Sequence, residues 1–160
     1  MIRFVILICL LMVSPAWAQY WQTYENTRFG YLLDIPPGYA GDGESANGDG
    51  QVFYAPGAGQ GVTVWGGHLL EDFAAEVRGA QARAEADQWA LSDQTITPQW
   101  AYFVGRRDAR QFYQRHILLC DGTSFAAFRA EYAISDLGAM GPLIEGMVRS
   151  FVSADCPGSD

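Results

Sequence analysis

Apolar positions in this chain mostly alternate over short runs, and they recur at helical spacing in only two places. An aromatic segment, 20–25, is followed by a turn at Asn26-Thr27-Arg28 and by FGYLLDI (29–35), a run rich in strand formers. Pro36-Pro37-Gly38 stops that run, so the two segments read as a short hairpin. QVFYA (51–55) and VTVW (62–65) are the next strands, joined by the glycine-rich loop 56–61. Before them, the pairs Asn47-Gly48 and Asp49-Gly50 are what tight turns with positive φ require. The rest of 40–50 is expected to be partly disordered, as is the C-terminal CPGSD.

The period then changes. Glu71 to Ala90 is dense in Ala, Glu, Gln and Arg, all good helix formers. Phe73, Val77, Ala80 and Ala84 make one apolar stripe, and Glu71, Asp72 and Glu76 sit where the helix dipole favours acids. Strand signals return at Thr95 to Thr97, 100–104 (WAYFV), 111–120 (QFYQRHILLC) and 123–132 (TSFAAFRAEY). The polar tip 105–108 and the Asp121-Gly122 turn join them into an antiparallel meander of three or four strands.

Leu137, Met140, Ile144, Met147, Val148 and Phe151 then line one side of a last helix, which Ser135 or Asp136 can cap. Proline is tolerated only in a first turn, so Pro142 predicts that the regular helix begins near Gly141. Strands, helix, strands, helix: the fold class is α+β, a mainly antiparallel β-sheet with helices packed against it.

The first residues read as an address. Arg3 is a positive start, 4–13 an apolar core too short to span a bilayer comfortably, and Ala16-Trp17-Ala18 a small-x-small cleavage pattern. Residues 1–18 are therefore a predicted signal peptide, and 19–160 a single domain of 142 residues, long enough for a real core. Export predicts a periplasmic or secreted protein with no transmembrane segment after cleavage. Cys120 and Cys156 are the cysteines that survive, and an oxidising compartment predicts a disulfide between them.

Charge narrows the partners. The chain carries a formal −8 with no lysine, and the mature part sets nine arginines against eighteen acids. Such a surface repels nucleic acid and anionic lipid.

Catalytic patterns are weak. Gly-x-Ser-x-Gly is absent, and His68 and His116 lie in different elements without metal-ligand spacing, so each reads as a surface or structural residue. Asp42, Glu44, Asn47 and Asp49 are hard oxygen ligands of the type calcium takes. An EF-hand register fails, because Val52 takes the glycine place counted from Asn47 and Ala46 the fifth place counted from Asp42. A calcium site at Glu44, Asn47 and Asp49 stays open as an alternative; no other cofactor is expected.

Arg106, Arg107, Arg110 and Arg115 crowd one hairpin tip and are candidates for binding an anion or an acidic partner. Trp65, Trp100, Tyr102, Phe112 and Tyr113 are candidates for lining a groove, or for ordinary sheet packing.

YENTRFGYLLDIPPGY (24–39), ESANGDGQVFYAP (44–56) and VTVWG (62–66), with RAEY (129–132) and the terminal Ser150-Phe151, resemble small exported proteobacterial proteins with a PsbP-like, or Mog-type, α/β sandwich. The resemblance implies that fold across nearly the whole mature chain. It also implies an accessory role, since PsbP-like relatives bind a membrane complex and Mog-type relatives a small GTPase. The function expected is an exported, non-enzymatic binding or accessory protein whose partner is an envelope or periplasmic protein. The alternatives are a small secreted hydrolase with acidic residues meeting in a cleft, and a calcium-dependent binding module.

Overall fold

The computed structural model describes residues 20–154 and 156. The predicted signal peptide 1–18 and the end of the CPGSD tail lie outside the described residues. In chain order the elements are β1 (Gln22–Asn26), β2 (Tyr31–Ile35), β3 (Ala40–Glu44), β4 (Gly50–Ala55), β5 (Gln60–His68), α1 (Phe73–Ala86), β6 (Ala90–Ile96), β7 (Trp100–Arg107), β8 (Arg110–Leu118), β9 (Ser124–Ala133), a 3-10 turn (Ile134–Asp136), α2 (Leu137–Ser150) and β10 (Val152–Ser153). They form a seven-stranded sheet ordered β3-β4-β5-β9-β8-β7-β6 and a three-stranded sheet ordered β1-β2-β10. Every strand pair is antiparallel. The α+β class read from the sequence is the class observed.

The small sheet and α2 cover one face of the large sheet, and α1 covers part of the other. Strand alternation supplies both contacts. Toward the small sheet and α2 point Val62 and Val64 of β5 with Phe128, Ala130 and Tyr132 of β9. They pack against Tyr31, Leu33, Ile35, Met140, Met147 and Phe151. On the opposite face Phe73, Val77, Ala80 and Ala84, the apolar stripe expected of the first helix, pack on Ala101, Phe103, Phe112 and Ala127.

Several expectations need correction. Residues 40–44 are not a disordered stretch but the edge strand β3, paired with β4 through an irregular register. All five residues are exposed and two are glycines, so no apolar alternation marks the strand; the ladder to β4 makes it. Asn47-Gly48 is a turn, with Gly48 at φ 70°, but Asp49-Gly50 is not. Gly50 opens β4, where a Cβ would strike the Val64 carbonyl.

α1 stops at Ala86, short of Ala90. Gln88 adopts φ 66°, its N–H reaches the Glu85 carbonyl and the Trp89 N–H reaches that of Ala84. These two bonds close the helix end in the manner of a Schellman motif and turn the chain into β6. The meander is four strands long, but it joins β5 through β9 to make seven. α2 begins at Leu137, ahead of the expected Gly141, with Pro142 inside it. Gly138, whose carbonyl Pro142 leaves without its helical donor, is exposed to water.

The expected disulfide is present, with Cys120 and Cys156 bridged at a Cα separation of 5.3 Å. It ties the β8–β9 turn to the chain beyond β10. The bridge closes a loop of sequence separation 36, worth about 3–4 kcal/mol in the chain-entropy picture. Cys120→Ala combined with Cys156→Ala is expected to lower urea-unfolding stability by that amount. A loss below about 1 kcal/mol would show that the tail is held by its β10 pairing alone.

Candidate functional site

Glu44, Asn47 and Asp49, the candidate calcium ligands, belong to one hydrogen-bonded unit centred on Asn26. Asn26 is 1 % exposed. Its Nδ2 donates to Tyr24 Oη (3.1 Å), Glu44 Oε1 (3.1 Å) and the Gly48 carbonyl (2.9 Å), and its Oδ1 accepts from the Phe29 N–H (2.9 Å). Tyr24 donates to the Glu44 carboxylate at 2.8 Å. Ser45 and Asn47 donate to the two oxygens of Asp49, at 2.8 and 2.7 Å. Arg28 donates to the Asn47 carbonyl, and Tyr31 to that of Asp49. Burial pushes the Tyr31 phenol far above its ordinary range, so it remains a donor. The Glu44 carboxylate and the Asn47, Gly48 and Asp49 carbonyls thus hold the β3–β4 turn against the β1–β2 turn, while the Asp49 carboxylate braces the turn from within. Asp42, on β3, is exposed. Among the described residues no group of three or more His, Cys, Asp or Glu is placed to hold a metal ion.

The four arginines of the hairpin tip do not form one patch. Residues alternate between faces of a strand, and the β7–β8 register sends Arg107 and Arg110 to the α1 side. Arg106 and Arg115 face the other way. Arg106 Nε donates to Gln111 Oε1 at 2.7 Å, and the Arg115 guanidinium stacks 4.4 Å from the Trp100 ring. The candidate groove aromatics divide likewise. Trp65 and Phe112 lie on the α1 face, whereas Trp100, Tyr102 and Tyr113 stack in a ladder on the opposite one.

On the α1 face Arg107 and Arg110 gain a third arginine, Arg129 of β9. Arg129 stacks 3.7 Å from the Phe112 ring and 4.9 Å from Trp89, and Arg107 lies 4.4 Å from Trp89. The turn after α1 delivers Trp89 to this position. Glu131 accepts from Arg110 Nε at 2.9 Å and pairs with Arg129 Nη2 at 3.5 Å. Burial lowers the Arg129 pKa and Glu131 opposes the shift; a guanidinium nevertheless stays protonated.

α1 does not reach across the sheet, so these residues border an open groove of about 610 Å³. Val52, Tyr54, Gly61, Thr63, Arg129 and Glu131 form its floor; the loop from Pro56 to Gly59 and Arg110 form its end. Arg110 Nη2 holds that loop through the Gly59 carbonyl at 3.0 Å. Tyr54 is 52 % exposed beside it. Glu131 is the only carboxylate among the described lining residues, and both its oxygens face arginines. The groove offers guanidinium forks suited to an anion and no opposed acid–base pair.

Arg129 and Gly61 were missed by sequence reasoning. A signal was available for Arg129: in FRAEY, Arg129 and Glu131 share a parity that sets both on one strand face. Their meeting with Arg110 follows from register alone.

The histidines differ. His68 is exposed, its Nδ1 3.0 Å from Ser124 Oγ. His116 is wholly buried under α1 among Trp65, Phe103 and Phe125, and its Nδ1 has no hydrogen-bond partner. Burial, with a smaller push from Arg83, lowers its pKa to about 3.

No protein family and no curated protein matches the chain by sequence. The fold is similar to that of cyanobacterial PsbP (CyanoP) from Synechocystis sp. PCC 6803, with a TM-score of 0.59 at 15 % identity over 90 % of this chain and 98 % of that one. It is also similar to the Saccharomyces cerevisiae Ran-binding protein Mog1p, with a TM-score of 0.62 at 11 % identity over 86 % and 97 %. At these identities the likeness establishes a PsbP-like, Mog-type fold.

Two outcomes follow from the buried polar groups. Asn26→Ala leaves the Phe29 N–H and the Gly48 carbonyl without their side-chain partner, and is expected to cost about 1–3 kcal/mol in chemical denaturation. Replacing EDTA by calcium in melts of the wild-type chain is expected to leave the midpoint unchanged; a clear rise would assign Glu44, Asn47 and Asp49 a ligand role.

His116 takes a proton near 6.5 when unfolded but only near 3 when folded. Between these values the unfolded state holds the extra proton, so stability falls as pH drops, by up to about 1.4 kcal/mol per pH unit. His116→Leu is expected to flatten that slope relative to wild type in urea titrations; parallel slopes would contradict it.

Proposed function

We propose that this chain is exported, loses residues 1–18, and serves outside the cytoplasm as a non-enzymatic accessory protein that binds another protein of the cell envelope. The observation that carries the binding reading is the half of the seven-stranded sheet that α1 leaves uncovered. The groove on that uncovered face sets exposed Tyr54 and Val52 across from Arg110 and the stacked Arg129, an apolar and a cationic side together. The absence of an acid–base pair among the described groove residues argues for recognition rather than turnover.

Export is supported by the leader-like pattern of 1–18 and by the Cys120–Cys156 disulfide, which oxidising compartments favour. Among the described residues no helix is long and apolar enough to cross a membrane. The fold is shared with a protein whose name records Ran binding, and it offers a precedent for protein recognition on this scaffold.

Expression of the full chain, cell fractionation and intact-mass measurement test the reading together. The expected result is an extracytoplasmic protein starting at Gln19, with the disulfide formed, that crosslinks to one defined envelope protein when a photoreactive residue replaces Tyr54. A reduced, unprocessed cytoplasmic chain would overturn the compartment, and turnover of a substrate in the groove would overturn the non-enzymatic role.

A further inference from the structure

Glycines inside the strands of the large sheet mostly have a structural reason. A Cβ at Gly50 would strike the Val64 carbonyl, at Gly66 the Phe29 ring (2.7 Å), at Gly67 the Phe125 ring (2.8 Å) and at Gly105 the Phe112 ring. Gly41 is crowded by Gln51, and Gly43 has φ 96°. Gly61 differs from all of these. Its φ is not in the left-handed region, and a Cβ there would meet nothing closer than 3.6 Å, an ordinary contact. The fold does not need a glycine at 61. Glycine in a strand interior weakens the strand, and one use for it is the close approach of another backbone or a ligand. Gly61 lies in the floor of the open groove.

The charge around that floor indicates what approaches. Arg110 and Arg129 line the groove, Arg107 stacks on Trp89 beside Arg129, and Glu131 is the single carboxylate among the described lining residues. Asp87, after α1, adds a second negative charge near Arg129. The Arg129–Glu131 contact, at 3.5 Å, is longer than a tight charge-assisted bond. In a chain of net charge −8, this is a place where positive groups outnumber negative ones. Val52 and exposed Tyr54 supply an apolar side opposite the arginines.

We propose that the groove over Gly61 receives an extended acidic segment of a partner protein. Its backbone runs over Gly61 and Thr63, its carboxylates are taken by Arg129 and Arg110, and its intervening apolar side chains lie against Val52 and Tyr54. This rests on the reading of the chain as a protein-binding accessory and names the chemistry of what it binds.

The test uses the mature full chain and two short fluorescein-labelled peptides, one alternating Glu and Val and one alternating Gln and Val, followed by fluorescence anisotropy. The Glu-Val peptide is expected to bind at least about tenfold more tightly than its Gln-Val counterpart, and to weaken as salt is raised. Gly61→Val places a β-branched side chain in the floor, where a Cβ has room, and is expected to weaken binding about tenfold or more at an unchanged thermal midpoint. Arg110→Gln is expected to weaken binding to a similar degree and carries the test if Gly61→Val fails to fold.

Equal binding of the two peptides, no binding of either, or full binding by a folded Gly61→Val chain would overturn the proposal. So would displacement of the peptide by free glutarate at equal concentration, which would make the groove a small-anion site. An envelope crosslink that survives Gly61→Val would sink the groove and leave the accessory role standing. Loss of every envelope crosslink in the wild type would sink the accessory role, while the peptide titration still decides the groove.

Discussion

The buried side chain of Asn26 joins the two sheets. It sits at the end of β1, in the small sheet, and its hydrogen bonds reach Glu44 and Gly48 of the β3–β4 turn in the large one. A buried amide has two donor hydrogens and an acceptor oxygen to satisfy: here the donors reach Glu44 and Gly48 across the junction, and the oxygen takes the Phe29 N–H of the turn after β1. The arrangement is therefore intolerant: moving either turn leaves the buried Asn26 amide without its partners. The sandwich core of Tyr31, Val64 and Phe128 provides most of the non-directional attraction. The Asn26 unit provides the direction, because it accepts one relative placement of the turns.

That unit explains why two separated sequence blocks, 26–31 and 44–50, belong together. Asn26, Arg28 and Tyr31 supply donors; Glu44, Asn47 and Asp49 supply carboxylate and carbonyl acceptors. Oxygen-rich side chains in a glycine-rich turn are suited to calcium, and they are equally suited to receiving amide and phenol hydrogens. In this structure the groups opposite them are the donors of Asn26, Arg28 and Tyr31.

Charge is organised on the same principle. An acidic chain keeps its arginines useful by stacking them on aromatic rings: Arg115 on Trp100, Arg107 on Trp89, Arg129 on Phe112. Stacking fixes the plane of each guanidinium while leaving N–H groups at its edge. On the α1 face this produces a preorganised set of donors at the border of the groove, because α1 ends at Ala86 and Trp89 takes over the cover.

The hairpin 22–35, the α1 stripe, the β6–β9 meander and the α+β class were legible because each depends on local periodicity or on turn chemistry within a few residues; the disulfide was legible because two cysteines follow the leader-like segment and an oxidising compartment pairs them. The edge strand β3 was not, since AGDGE carries no pattern and becomes a strand only beside β4. The tip arginines were visible as a cluster in sequence, but strand alternation divides them between opposite faces, and no count of charges reveals that. Arg129 could be found by parity with Glu131, yet Arg110 reaches Glu131 from another strand 21 residues away. Periodicity along the chain marked most of the extended and helical segments and the apolar side of each. Only the tertiary structure decided which sides meet and where α1 stops short, because register and layer packing are set by contacts between residues far apart in the chain.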